Sequence, residues 1–325
     1  MIHFYELKMI PYDIVNLIDN HQISLYLTCQ SFYKLICLFY TKCQFDYLLF
    51  EPMIHVNNKT RYDHLKKYTH FLYNVKELCY LHDFHHVTTL LFDDCFNKPV
   101  NQLPATLTHL TLRRDFNQPI DQLPAALTHL TLGYHFNQRI DQLPAALTHL
   151  TLGCYFNQPI DHLPVTLTHL TLDYCFIQRI DQLPAALTHL TLGYKFNQSI
   201  DQLPSALTHL TLGYYFNQPI DQLPVSLTHL TLGTMFDQRV DQLPAALTHL
   251  TLGRNFNQPI DQLPAALTHL TLGTNFNQPI DQLPTTLLYL KLPEKYNQSI
   301  VIDNLPISLQ TLSIGDKKIR LSLYR

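Results

Sequence analysis

Residues 127–144 read LTHLTLGYHFNQRIDQLP, and the string returns, lightly varied, every twenty residues. His109, His129, His149, His169, His189, His209, His229, His249 and His269 mark the step. So do ten phenylalanines from Phe96 to Phe276, with Tyr296 continuing the series, and the Leu-Pro pairs from Leu103-Pro104 to Leu283-Pro284. A two-residue insertion near Val301-Ile302 delays the last copy to Leu305-Pro306. A degenerate first copy opens at Val87, and a worn last one runs through Leu309, Leu312 and Ile314, which makes about twelve strand segments. Self-similarity at a fixed short period is the mark of a repeat array. A unit this short cannot bury its own apolar side, so each coil must stack on its neighbours.

Within the unit, Leu127, Leu130 and Leu132 follow LxxLxL, the spacing that opens a leucine-rich repeat. Alternate residues of a strand face opposite ways, so Leu130 and Leu132 point inward while His129 and Thr131 point outward. Phe136, Ile140 and Leu143 must also turn in to close the coil. No room remains for a helix, and Pro119, Pro159, Pro219, Pro259 and Pro279 suit an extended or polyproline-like return side. The fold class read from this pattern is a mainly β solenoid, curved and leucine-rich-repeat-like, over residues 87–314.

Three columns test that reading. All eight glycines, from Gly133 to Gly315, sit one residue past the last strand leucine or, for Gly315, its equivalent Ile314, which implies a special backbone angle or a close approach that a Cβ would hinder. Arg113 and Asp173 take the same place, so the demand is a preference. Asn117 and its equivalents are expected to bond turn amides between coils, with weaker coils where Ile177 and Asp237 interrupt them. Asp121 and its equivalents also stack, and their repulsion needs an offset. Capping of backbone N–H groups, helped by Arg139, Arg179 and Arg239, is the expected one.

Nine evenly spaced histidines raise the question of chemistry. Catalysis needs unlike groups converging on one point, and this array offers like groups in columns. Two stacked imidazoles would give zinc two ligands, and no Cys recurs to complete the set. No Gly-containing acidic loop suits calcium. The expectation is therefore no enzyme, no metal and no cofactor. Binding is different, because copies differ mainly at the two positions between Gly and Phe. Arg114, Tyr134, His135, Tyr155, Tyr174, Tyr194, Tyr214, Tyr215 and Arg254 stand there, a central aromatic patch with arginines outboard. Tyr and Arg are the usual anchors of protein interfaces. These nine residues are the candidate target-binding site, at the rim of a concave sheet.

Composition narrows the partners. The chain has 325 residues, 46% hydrophobic and 14% charged, with a formal net charge of −3. That is too apolar for disorder and lacks the basic footprint of a nucleic-acid binder. Seven cysteines with no CxxC pair suit a reducing compartment. The opening MIHFYELKMIPYD lacks the basic start and apolar run of a signal peptide. The apolar stretch 32–50 is broken by Lys34, Lys42 and Asp46 and is too short to span a bilayer. An intracellular, cytoplasmic protein is expected, with no membrane, nucleic-acid or small-molecule partner.

Residues 1–86 have no period and no Gly. Ile10-Pro11 stands at a helix start, with apolar residues continuing at Ile14, Leu17 and Ile18. A second helical face includes Leu27, Phe32 and Leu35. Two such short helices gain from packing on a partner. Residues 46–86 form a bridge and N-terminal cap in which Val75, Leu78 and Tyr80 suggest a capping strand. Residues 315–325, with IRLSLY as a last strand, cap the other end.

The array resembles the FNIP repeat family, a variety of leucine-rich repeat, through FNQPI at residues 116–120, 156–160 and 216–220. It departs in its uniform step and in the Asn that directly follows Phe. Residues 1–45 look like an F-box, the helical module that docks the adaptor subunit of cullin-RING ubiquitin ligases. Ile10-Pro11 falls where that family has Leu-Pro, Asp13, Ile14 and Ile18 match its acidic and aliphatic positions, and Phe32 stands for its usual Trp. The stretch between Ile18 and Cys29 is shorter than the family pattern. Chains that join the two modules recur in giant viruses of amoebae. The resemblance implies a substrate receptor, in host cytoplasm if viral. Its adaptor-binding residues would be Ile10, Pro11, Ile14, Leu17, Ile18, Leu27, Phe32 and Leu35, and an unknown target protein would lie on the solenoid. A plain interaction scaffold with no ligase link is the alternative.

Overall fold

The computed structural model describes the backbone of residues 71–75 and then residues 87–321. The capping strand expected near Val75 is found as β1 (Phe71–Val75). Leu78 and Tyr80 lie outside the described residues, as do all eight expected adaptor-binding positions. The repeats give β2 (Thr89–Phe92), β3 (His109–Leu112), β4 (His129–Leu132), β5 (His149–Leu152), β6 (His169–Leu172) and β7 (His189–Leu192). They continue as β8 (His209–Leu212), β9 (His229–Thr231), β10 (His249–Thr251), β11 (His269–Thr271), β12 (Tyr289–Leu292) and β13 (Thr311–Ile314). Together they form one sheet in strict sequence order, closed by the antiparallel β14 (Lys317–Arg320). The twelve strands β2 to β13 answer the twelve copies in the sequence. Helix among the described residues is limited to a 3-10 turn at Ile302–Asn304 and the single 3-10 residue Leu321.

Parallel pairing is in register throughout the array: Leu130 lies opposite both Leu110 and Leu150, and His129 opposite both His109 and His149. The register is fixed because a one-residue slip would turn every leucine out to solvent. Each coil turns its corners with three tight turns, two of them closed by clear backbone hydrogen bonds. The Leu127 N–H donates to the Pro124 carbonyl at 3.1 Å, and the Phe136 N–H to the Gly133 carbonyl at 3.3 Å. The return side is thus a run of turns and short extended links, tighter than the polyproline-like path expected. At the strand entrance the N–H groups of Thr128 and His129 both donate to the Thr108 carbonyl at 2.9 Å. The core is one continuous cluster in which Leu127, Leu130, Leu132, Phe136 and Ile140 are buried and Leu143 packs half-buried against them. Truncation of one of these leucines leaves a hole worth about 2–5 kcal/mol.

Polar columns join coil to coil. The Asn117 Oδ1 accepts the Asn137 N–H at 2.9 Å and the Gln138 amide at 3.1 Å, and the pattern repeats up the stack. The Ile177 N–H donates to the Asn157 Oδ1 at 3.0 Å, but its side chain offers the next coil no acceptor, and the Gln198 amide bonds the Ile177 carbonyl instead. Asp237 is not the interruption the sequence suggested, because its Oδ1 accepts the Asn257 N–H at 2.9 Å as an asparagine would. In the aspartate column, Arg139, Arg179 and Arg239 hold Asp141, Asp181 and Asp241 at 2.6–2.7 Å, and the Ser199 hydroxyl donates to Asp201 at 2.7 Å. Backbone capping by these carboxylates is not found among the described residues. Cations and a hydroxyl offset the repulsion instead.

Of the two explanations for the glycine column, close approach is the right one. A Cβ at Gly253 would overlap the Gly233 carbonyl one coil below. Only Gly315, in the turn before β14, has a positive φ, 57°. Asp173 takes the same place, with its N–H donating to the Leu152 carbonyl at 3.1 Å. The last strand also differs from expectation: β14 begins at Lys317, ahead of the IRLSLY stretch, and residues 322–325 are outside the described set.

The same coils carry two aromatic columns with different spacing. Phe centroids are 6.1–6.3 Å apart from Phe96 to Phe276. His centroids are 4.1–4.2 Å apart, with ring planes turning 8–13° per rung. Strands in a sheet sit ~4.8 Å apart, so the stack is compressed at the histidines and splayed at the phenylalanines. The solenoid therefore curves, with the sheet on its concave side.

Candidate partner-binding face

The concave face is built from the outward residues of each strand. His129 and Thr131 stand half-buried on β4, and their copies do the same on most of the other strands. Each His Nδ1 lies 2.8–2.9 Å from the hydroxyl of the preceding threonine. That hydroxyl donates its single proton to the threonine carbonyl one coil back, at 3.0–3.1 Å. A carbonyl only accepts, so toward the ring the hydroxyl is an acceptor and Nδ1 carries the imidazole proton. This pattern assigns the same Nδ1–H tautomer to every rung, with the Nε2 lone pair directed away from the backbone. Burial, followed by the neighbouring imidazoles, holds His129, His149, His169, His189, His229 and His249 below the ordinary imidazole pKa.

This geometry is poor for chemistry. Parallel stacked rings aim their lone pairs side by side, and a tetrahedral ion needs them to converge. Among the described residues no group of three or more His, Cys, Asp or Glu is placed to hold a metal ion.

The variable pairs occupy the two central positions of the Gly-to-Phe turn, just past each strand end. The second residue of each pair bonds the first residue of the coil below; the Tyr155 N–H, for example, donates to the Tyr134 carbonyl at 2.9 Å. These side chains project from a corner, outside the leucine core, which is why the fold lets them change. Tyr174, Tyr194 and Tyr214 form a parallel stack with centroids 4.5 Å apart. Tyr215 meets Tyr194 and Tyr214 edge-on at 5.2 and 5.0 Å. Tyr134 meets His135 at 4.9 Å and Tyr155 at 4.8 Å, both edge-on. The pKa of the Tyr134 hydroxyl is pushed up to about 12 by hydrogen bonds with Tyr155 and then Cys154. His135 lies 3.9 Å from Asp115. Two aromatic clusters result, separated by Cys154 and Cys175.

Arg114 and Arg254 are exposed on the same turns. Thr234 and Met235 separate Arg254 from the tyrosines, so the structure does not bring it into the cluster. Two residues absent from the nine candidates do join it. The Lys195 ammonium sits over the Tyr174 ring, 5.5 Å from its centroid, and Cys154 receives the Tyr134 hydroxyl. Their place in the variable columns was the available signal, and choosing only Tyr, Arg and one His passed them over.

Comparisons with known proteins agree with this architecture. The FNIP Repeat family model matches overlapping segments spanning residues 116–317. The circular leucine-rich-repeat protein CroV588 is 41% identical, with a TM-score of 0.63 over 71% of this chain. The chain spans 40% of the length of CroV588. The internalin InlF of Listeria monocytogenes is 16% identical, with a TM-score of 0.57, and the match covers 78% of this chain and 88% of that one. A chain of the Drosophila Toll–Spatzle complex gives 16% and 0.57 over 72% of this chain and 37% of its own. The last two share the fold alone. No curated protein matches the sequence. No helix among the described residues is long and apolar enough to cross a membrane.

Proposed function

The chain belongs to the FNIP repeat family, and from that premise we propose that it is the substrate-recognition subunit of a cullin-RING ubiquitin ligase, its solenoid holding a target protein. One observation carries the binding half of the reading. A scaffold largely uniform in register, core and polar ladders varies chiefly at two turn positions per coil, and those positions bring six tyrosines into two clusters beside the concave sheet. Aromatic side chains held by one another lose little freedom when a partner docks, which is what makes Tyr an interface anchor. Leucine-rich-repeat scaffolds of this shape offer extended concave surfaces to proteins.

The ligase half is supported by the F-box-like sequence, with Ile10, Pro11, Ile14, Leu17, Ile18, Leu27, Phe32 and Leu35 as the adaptor contacts. In this reading the chain does no chemistry and needs no cofactor. It raises the local concentration of target lysines near an activated ubiquitin, and proximity supplies the rate. Work in the cytoplasm, of a host cell if the protein is viral, belongs to the same proposal.

Affinity purification of the full chain tests it. Wild type should recover the ligase adaptor subunit, and Ile14→Asp or Phe32→Ala should abolish that recovery while the circular dichroism of the solenoid is unchanged. A wild-type protein that recovers no adaptor under conditions that retain its target would leave the interaction scaffold as the function.

A further inference from the structure

Cys154 and Cys175 occupy the variable turns of adjacent coils, between the two tyrosine clusters. The Cys175 N–H donates to the Cys154 carbonyl at 2.8 Å. Standard bond lengths then cap their Cα separation at about 6.7 Å, within the ~7 Å that a disulfide can bridge. Both side chains belong to the variable turns at the same corner of neighbouring coils. Both residues are half-buried and both thiols are free. Cys95, the other described cysteine, lies three coils from Cys154, too far for such a pairing.

We propose that Cys154 and Cys175 form a reversible redox staple across neighbouring coils, closed by a low-molecular-weight disulfide such as glutathione disulfide. One cysteine thiolate attacks the disulfide and forms a mixed disulfide, releasing one glutathione thiolate that takes up a proton. The second cysteine, losing its proton, attacks the protein sulfur of that mixed bond and releases the second glutathione. The protein loses two electrons and two protons, and glutathione disulfide becomes two thiols. A thiol acceptor restores the pair by the reverse exchange. The closed staple takes the Cys154 sulfur away from the Tyr134 hydroxyl and ties the two aromatic clusters together. Its effect on a partner rests on the target-binding role proposed above; the cross-link itself does not.

The test uses the full-length folded chain incubated with glutathione disulfide. The expected results are a loss of two of its seven thiols, a proteolytic peptide pair joined at Cys154 and Cys175, and full reversal by dithiothreitol. Cys154→Ser should stop the reaction at a glutathione adduct on Cys175. An unchanged thiol count, a stable adduct on the wild-type pair, or cross-links that join other cysteines would each overturn the proposal. Binding of a purified target before and after oxidation is then read separately, so loss of the staple and loss of the binding role are distinguishable.

Discussion

Replacing Asn137 by alanine isolates the polar ladder that joins the coils. The substitution removes the Oδ1 that accepts the Asn157 N–H at 2.9 Å and the Gln158 amide at 3.2 Å. The Gln158 side chain can turn toward water. The Asn157 N–H cannot, because it is fixed in the backbone next to the buried Phe156. A neutral hydrogen bond contributes about 1 kcal/mol net, and a partly buried donor left unpaired costs up to about 3. With partial exposure the expected loss is about 1–2 kcal/mol, concentrated at the interface between two coils. Asn137→Asp keeps the oxygen, and Asp237 already accepts the Asn257 N–H at 2.9 Å in the native chain. That variant should stay within about 0.5 kcal/mol of wild type. Amide hydrogen exchange at Asn157 is the local readout, and the alanine variant should exchange roughly 5–30-fold faster. A built-in control exists: the Asn197 N–H faces Ile177, which offers no side-chain acceptor, and should exchange faster in wild type than that of Asn217, which bonds the Asn197 Oδ1 at 2.9 Å. Equal acceleration by aspartate and alanine, or no change in either, would refute the ladder as a stabilising device.

Three further outcomes follow from the same geometry. The lowered imidazole pKa values of His129, His149, His169, His189, His229 and His249 mean that the folded chain takes up protons later than the unfolded one, so stability is complete above pH ~6.5 and falls as pH drops through the folded values. The thermal midpoint should decrease between pH 7 and 5, and a flat or rising profile would contradict this; binding of a target to the concave face should weaken over the same window. Gly253→Ala drives a Cβ into the Gly233 carbonyl and should cost about 1–3 kcal/mol in denaturant unfolding, whereas Asp173→Gly should cost little. Thr148→Val deletes the acceptor that fixes the His149 tautomer, and imidazole nitrogen NMR should show that ring alone shifting toward the Nε2–H form.

The repeat made most of the fold legible. LxxLxL with its twenty-residue period placed β2 to β13 and their register, because identical coils leave only one way to superpose their leucines. Phe136 and Ile140 were readable as core for the same reason. The degree of curvature was not, since it emerges from the unequal widths of the His and Phe columns and belongs to no single residue. The Asp237 misreading has a simple cause: a carboxylate and an amide offer the same acceptor oxygen, so a break in the letters was no break in the hydrogen bonds. At the binding face, the aromatic content of the variable columns was visible in the sequence. Which tyrosines touch depends on turn geometry, and so the division into two clusters, the exclusion of Arg254 and the inclusion of Lys195 and Cys154 were not.

The central claim is that the variable turns, and not the uniform array, recognise a partner. Binding of a co-purified target, measured side by side for wild type, Tyr194→Ala and Gln182→Ala, tests it most directly. Tyr194 lies at the centre of the tyrosine stack, and Gln182 is exposed on the return side. The account predicts at least a tenfold loss of affinity, about 1.4 kcal/mol, for Tyr194→Ala and wild-type affinity for Gln182→Ala. Undiminished binding by Tyr194→Ala, with loss in Gln182→Ala, would contradict it.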